Sequence, residues 1–248
     1  MKALVTGASS GIGRDIAREL SKKGYHLILV ARDLEKLRQV KSEMQTPVET
    51  VPMDISKVEN CRQLYEKYPQ VDLLVNDAGF GDCGYFTDTC LEKELQMIHT
   101  NIIGTHTLTK LYLKNMKERD QGIILNVASL VGFLPGPRMA TYYATKAYLI
   151  RLSEALREEL KKERSHVQIS VLCPGPVPTN FNRVANVRFL IKGLSSEFVA
   201  KYAVNQLLQG KFYIVPGPKA KLAKALSKLL PTSLTAKCAY AIQKPADH

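Results

Sequence analysis

Apolar residues recur along the chain in two alternating rhythms. Short aliphatic runs, of which Lys2 to Thr6 is the first, read as strands buried on both faces. Between them lie longer stretches with apolar residues at helical spacing, as at Ile12, Ile16 and Leu20. The predicted strands are Lys2 to Thr6, Tyr25 to Ala31, Val48 to Val51, Val71 to Asn76, Gly122 to Ala128, Val167 to Cys173 and Lys211 to Val215. A first helix runs from the Ile12 region to a stop at Gly24, and Asp33 to Gln45 forms a second with Asp33 as its N-cap. Further helices are predicted over Ser56 to Tyr68, Leu91 to Lys117 with a break near Asn101, Ala140 to Arg164, and Ser196 to Gln209.

Strands alternating with helices imply right-handed crossovers and a mainly parallel sheet, here of seven strands, with helices on both faces. The predicted fold is a single doubly wound α/β domain. Ligands of such sheets bind beyond the carboxyl ends of the strands, where strand order reverses. That rule puts four features on one rim: the turn at Thr6 to Gly13, the turn Asn76-Asp77-Ala78-Gly79, Ser129, and the Pro174-Gly175 turn.

Composition narrows the class. At 248 residues and 45 % hydrophobic, the chain is long enough for one substantial core and needs no second domain. Its five cysteines are widely spaced, without C-x-x-C or clustered histidines, so neither a disulfide framework nor a metal site is expected. The N-terminus opens directly on a strand and no apolar run is long enough to span a bilayer, which predicts a soluble, cytoplasmic protein. The net charge of +12 suits an anionic cofactor or surface. No helix-turn-helix, zinc finger or aromatic RNA-binding pattern accompanies it, so no nucleic-acid partner is expected.

Gly7, Gly11 and Gly13 stand at a strand-to-helix turn, where glycine lets backbone approach a bulky anion and the N–H groups of the following helix point at it. A pyrophosphate fits such a turn. The spacing G-x-x-x-G-x-G differs from both G-x-G-x-x-G and the phosphate-loop motif. A second feature lies on the predicted helix after Ala140, where Tyr142 and Lys146 are four apart and share a face. A neighbouring ammonium favours phenolate and is expected to lower the Tyr142 pKa, making it a general acid or base. Tyr143, three residues from Lys146, shares that face too.

Taken in order, these motifs resemble the short-chain dehydrogenase/reductase family over nearly the whole chain. The match is carried by T-G-x-x-x-G-x-G at Thr6 to Gly13, N-x-A-G at Asn76 to Gly79, Asn101, Ser129, Y-x-x-x-K at Tyr142 to Lys146, and Pro174, Gly175 and Thr179. The resemblance implies a Rossmann-fold domain over 1–218, with 219–248 a basic helical extension of it. It also implies a nicotinamide cofactor and interconversion of a small-molecule carbonyl and alcohol. Tyr142 is then the proton donor, and Ser129 hydrogen-bonds the substrate oxygen. Lys146 tunes Tyr142 and binds the nicotinamide ribose, while Asn101 holds a water that relays protons to Lys146. Cofactor contacts are implied for Gly7, Ser9, Ser10, Gly11, Ile12 and Gly13, then Asp54, Ile55, Asn76, Ala78 and Gly79. Tyr142, Lys146, Pro174, Gly175, Val177 and Thr179 complete the set. The family often has Asn where this chain has Asp77, which is expected to make a local turn hydrogen bond as Asn does. A homodimer or homotetramer is expected.

An acid about 20 residues after the glycines usually grips the ribose of NAD, and Asp33 lies at that distance. The second strand ends at Ala31, however, so Asp33 is better placed as a helix cap, which leaves Arg32 for a 2′-phosphate. NADP(H) is therefore expected over NAD(H). Phe80, Tyr85, Phe86, Phe133, Leu134, Met139, Phe181 and Phe189 predict an apolar substrate pocket. The alternative is a catalytically idle dinucleotide sensor or scaffold on the same fold, for which an intact Asn101, Ser129, Tyr142 and Lys146 set has no use.

From Lys219 onward there are six lysines and one acid, Asp247. Lys221, Lys224 and Lys228 share one helical face and Leu222, Leu226 and Leu229 another, with Pro231 breaking the helix. The apolar face is expected to pack on the domain or a partner subunit, and weak association with an anionic membrane surface is the other reading.

Overall fold

A computed structural model describes residues 1–190, 193–227 and 229–245. Its centre is a seven-stranded, fully parallel sheet. The strands are β1 (Lys2–Thr6), β2 (His26–Ala31), β3 (Val48–Pro52), β4 (Leu73–Asn76), β5 (Ile123–Val127), β6 (Gln168–Leu172) and, past a shorter strand in sequence, β8 (Tyr213–Ile214). Their order, β3-β2-β1-β4-β5-β6-β8, reverses between β1 and β4. Ligands of doubly wound sheets bind at such a reversal.

Within each strand, alternate residues enter opposite halves of the core, as a pleated backbone requires. Leu4, Ile28, Val30 and Leu74 join one half, with Leu64, Leu108, Tyr112 and Leu149. Ala3, Val5, Leu27, Leu29, Leu73 and Val75 join the other, with Ile16, Leu20, Leu37 and Val204. The first half packs under α3 (Val58–Lys67), α5 (Thr105–Glu118) and α6 (Ala140–Lys162). The second packs under α1 (Gly11–Lys22), α2 (Leu34–Ser42) and α8 (Ser196–Leu208).

The break expected near Asn101 is a change of winding. α4 (Leu91–Ile98) continues into α5 through a π-helical turn, His99–Gly104. Gly104 has no room for a side chain there, because a Cβ would stand 2.3 Å from the Ile55 carbonyl oxygen. Buried Asn101 sits in this turn.

Two features beyond the sequence reading, a short helix and a two-stranded ribbon, lie near the substrate end. A short helix, α7 (Asn180–Val184), leads into β7 (Val187–Phe189), which pairs antiparallel with β9 (Gln243–Pro245) at the far end of the chain. Between β8 and β9 come α9 (Pro218–Ser227) and α10 (Thr232–Ile242), separated by an elbow at Pro231 where the sequence predicts a break. Of the two packing partners expected for the apolar face, a partner subunit or the domain, the domain does not cover it: Leu222 and Leu226 of α9, and Leu229 just past its end, are all exposed. Lys228 and Asp247 lie outside the described residues. Among the described residues no helix is long and apolar enough to cross a membrane.

Candidate active site

The glycine turn is locked against the turn that follows β4. Thr6 Oγ1 accepts hydrogen bonds from the N–H groups of Asp77 (3.1 Å) and Ala78 (3.2 Å) and donates to the Val75 carbonyl (3.3 Å). Gly7 and Gly11 have φ of +70° and +60°, and a Cβ on Gly7 would stand 2.8 Å from the Ala78 nitrogen. Gly11 lies against the Thr179 side chain, 3.3 Å from an added Cβ, so loops after β1 and β6 meet across the groove. Ser10 holds the N-cap position of α1 without a side-chain capping bond. Ser10 and the first turn of α1 line the groove, a setting that favours an anion.

Asp77 does not make the local turn bond expected of it. Its carboxylate reaches across to the Gly13 backbone, where its Oδ2 occupies the space of a residue-13 side chain, 2.5 Å from an ideal Cβ. Gly13 is therefore a packing residue outside the groove wall. Asn76 is buried, and its amide donates to Thr109 Oγ1 (3.1 Å) and Asn126 Oδ1 (2.9 Å).

At the outer end, Arg32 follows β2 directly and lines the groove with Asp33 and Lys36. Asp33 is the helix cap the sequence predicts. Its Oδ1 accepts from the Lys36 N–H at 3.1 Å, its Oδ2 pairs with Lys36 Nζ at 3.0 Å, and these bonds hold its carboxyl below the usual carboxylate range. Asp54, Ile55, Ala78, Gly79, Pro174, Gly175, Val177 and Thr179 also line the groove. One oxygen of Asp54 caps the next turn through the Ser56 N–H (3.0 Å).

At the inner end, β5 delivers Ser129 and α6 delivers Tyr142 and Lys146, and all three line the groove. Ser129 Oγ also approaches the Pro174 carbonyl at 3.3 Å. Lys146 Nζ donates to the Val127 carbonyl (2.8 Å) and stands 5.8 Å from the centre of the Tyr142 ring. Asn101, one helix away, clamps the turn after β4. Its Nδ2 donates to the Phe80 carbonyl (2.9 Å) and Thr145 Oγ1 (3.1 Å), and its Oδ1 accepts from the Phe80 N–H (3.1 Å). Gly79 gives that Oδ1 its room, since a Cβ there would stand 2.9 Å from it.

Burial decides the protonation of this end. The Tyr142 hydroxyl is held above the ordinary phenol value, first by burial and then by Tyr143, with the Ser129 hydroxyl opposing and Asp77 adding to the rise. The sequence reading expected Lys146 to lower it. Burial prevails instead, and the ammonium, anchored on the Val127 carbonyl, is itself pushed down to about 8, chiefly by burial. The Asp77 carboxyl is pushed up to about 7, again chiefly by burial, with Lys146 and the Gly13 N–H opposing.

Of the aromatic residues expected around a substrate, Phe80, Phe181 and Phe189 line the cavity. Phe181 lies 5.1 Å from Tyr142, ring centre to ring centre. Leu134 and Met139 pack in the cluster behind them. Tyr85 and Phe86 are exposed, and Phe133 turns away to pack on Tyr213. Lys36 carries only a weak signal in the sequence, a cation one helical turn after the Asp33 cap. The sequence reading missed Thr145 and Phe80 as partners of Asn101, and the Val127 carbonyl, which carries no side-chain signal at all.

The groove is a cavity of about 810 Å³ running from Arg32 past the glycine turn to Ser129, Tyr142 and Phe181. Its glycine cradle, bare helix start and cationic outer end fit a dinucleotide. A fold of this class with a Ser–Tyr–Lys group at the end of such a groove defines a nucleotide-binding oxidoreductase. The short chain dehydrogenase profile matches residues 1–188, and the chain belongs to that family.

Its relatives span several chemistries. It is 34 % identical over 181 residues to an uncharacterized oxidoreductase of Staphylococcus epidermidis, covering 71 % of this chain and 78 % of that one. It is 33 % identical over 218 residues to human 17-beta-hydroxysteroid dehydrogenase type 3, covering 84 % and 68 %. With the very-long-chain 3-oxoacyl-CoA reductase of Coccidioides immitis it shares 38 % over 182 residues, which span 68 % of this chain and about half (52 %) of the relative. Among solved structures, a short-chain dehydrogenase from Sphingobium yanoikuyae in complex with NADPH superposes with a TM-score of 0.83 at 25 % identity, covering 92 % of each chain. One from Burkholderia phymatum in complex with NAD gives 0.82 at 25 % identity, covering 91 % and 92 %.

Proposed function

We propose that the chain is an NADP(H)-dependent oxidoreductase that interconverts an apolar ketone or aldehyde and its alcohol, with Tyr142 as the proton donor and acceptor. The observation that carries this reading is the gathering of Ser129, Tyr142 and Lys146 at the apolar end of the groove, with Lys146 Nζ 5.8 Å from the centre of the Tyr142 ring. A nicotinamide dinucleotide, when bound, supplies or takes the hydride. Everything else falls to the chain's own residues. Ser129 orients the substrate oxygen and stabilises charge that develops on it. Tyr142, kept protonated by burial, gives its proton to that oxygen in the reductive direction. Lys146 holds a positive charge behind Tyr142 and would bind ribose hydroxyls, and Asn101 holds the Phe80 turn that closes this end.

Preference for NADP(H) is supported by the outer end, where Asp33 is committed to capping α2 while Arg32 and Lys36 line the groove. Two cations suit a 2′-phosphate, with Arg able to meet it through paired donors. An apolar substrate is supported by Phe80, Phe181 and Phe189, and by the names of the hydroxysteroid and 3-oxoacyl relatives.

The test is a panel of ketones and aldehydes of increasing apolar size, followed by NADPH oxidation with wild type and Tyr142→Phe. Turnover is expected with apolar carbonyls in the wild type and is lost in the variant, while both bind NADPH. Inactivity across the panel with tight NADPH binding overturns the catalytic reading in favour of a dinucleotide sensor.

A further inference from the structure

Helix α9 is amphipathic in the opposite sense from a helix docked by its apolar face. The face turned to the domain carries Ala220, Lys224 and Ser227. Lys224 Nζ lies 2.9 Å from the centre of the Tyr213 ring and 5.3 Å from that of Phe133. The leucines stand outside: Leu222 is 60 % exposed, Leu226 41 % and Leu229 79 %. Leu230 and, beyond the Pro231 elbow, Leu234 are exposed as well. The chain curls tightly here, with the N–H groups of Leu229 and Leu230 both bonded to the Leu226 carbonyl at 3.0 Å, which gathers exposed leucines into a crest at the elbow. A run of exposed leucines on one short segment marks an interaction surface.

Charge selects the occupant. Between Lys219 and Pro245 there is no acidic residue, and Lys219, Lys221 and Lys237 are exposed around the crest. A second copy of the chain seated on this face would set one positive segment against another, in a protein of net charge +12. An anionic lipid surface meets both demands, taking the leucines into its acyl boundary and the lysines at its headgroups. With 10 and 11 residues, α9 and α10 are too short to span and suit lying in the interface.

We propose that the α9–α10 elbow docks the protein on the surface of anionic membranes. The elbow is built onto the substrate end of the groove. α9 packs on the Leu130–Phe133 turn that follows Ser129, and α10 places Ala239 in the cluster that contains Tyr142 and Tyr143. Docking and catalysis are nonetheless separable, because the crest residues lie outside the groove.

The experiment is flotation of the full chain with vesicles of equimolar phosphatidylcholine and phosphatidylserine, and with phosphatidylcholine alone. Strong binding is expected only to the mixed vesicles. Lys219→Glu and Lys237→Glu should each weaken it about fivefold or more. The triple substitution Leu226→Ser, Leu229→Ser, Leu230→Ser should abolish it, at roughly tenfold per leucine, with melting temperature and NADPH affinity unchanged. Absence of flotation, equal binding to both vesicle types, or binding that survives the leucine substitutions overturns the proposal. So does a concentration-dependent dimer in sedimentation that the same leucine substitutions dissolve, since a second copy then covers the face.

Discussion

The hydroxyl of Tyr143 donates a 2.8 Å hydrogen bond to Oε1 of Gln243, a buried side chain in the last strand of the fold. Gln243 also donates to the Pro137 carbonyl, so the C-terminal strand is fastened one residue away from Tyr142. The two adjacent tyrosines thus have separate tasks, and their phenylalanine variants separate them. Tyr142→Phe should abolish turnover at unchanged fold stability and nearly unchanged cofactor affinity. Tyr143→Phe leaves a buried acceptor unpaired, which costs roughly 1 to 3 kcal/mol and lowers the melting temperature by about 2 to 10 °C in a chain of this length, while turnover persists. Steady-state kinetics and thermal melts of both variants check the assignment, and the reverse pattern defeats it.

Arg32→Asp should weaken NADPH binding and shift preference towards NADH. It removes a charge-assisted contact and opposes the 2′-phosphate with a carboxylate, a change worth at least ~1.5 to 3 kcal/mol, or roughly ten- to a hundredfold. Lys36→Ala should act in the same direction but more weakly, because part of its charge is already spent on Asp33. Titration of each variant with both cofactors is the measurement. A wild type that prefers NADH, with Asp33→Ala removing that preference, contradicts the reading.

Two glycines with different surroundings test the packing of the phosphate turn. A Cβ at Gly13 meets Asp77 Oδ2 at 2.5 Å and the Gly7 carbonyl oxygen at 2.7 Å. Gly13→Ala should therefore displace the turn, costing about 1 to 3 kcal/mol together with most of the cofactor affinity. Gly24 has φ +84° and nothing within 4 Å of a Cβ, so Gly24→Ala carries only backbone strain of about 1 to 2 kcal/mol. Its cofactor affinity should be unchanged, as calorimetric titration would register.

Asp77 and Lys146 couple the site to pH. The Asp77 carboxyl rises from its ordinary 3.8 to about 7, so its contribution to stability is full below pH 3.8 and is lost as pH rises through about 7. Lys146 falls from 10.5 to about 8, so its contribution is full above 10.5 and is lost as pH falls through about 8. In Asp77→Asn the acid no longer supports the ammonium, and Lys146 should lose its proton at lower pH. The alkaline limb of the kcat/KM profile then moves to lower pH, while stability becomes flatter between pH 4 and 7. An alkaline limb that stays in place shows that Lys146 does not set it.

The sequence by itself determined the parts of the molecule whose causes are local. Strand and helix periodicities act within a few residues, and they placed all seven strands of the main sheet, the glycine turn and the Tyr142–Lys146 face. The Asp33 cap was equally legible, because an N-cap bonds to an N–H only three residues on. Tertiary structure decided what depends on partners distant in sequence. The β7–β9 ribbon joins segments more than fifty residues apart, neither with a strong strand pattern of its own. Asn76 turns into the core because Asn126 and Thr109 await it there, and Asp77 reaches Gly13 because β1 and β4 are neighbours. The protonation of Tyr142 followed burial rather than the helical spacing to Lys146, and the leucines of α9 turned outward because Lys224 took the place between Tyr213 and Phe133. Helical periodicity shows that two faces differ; which one the fold covers is decided by the shape and chemistry of the surface it meets.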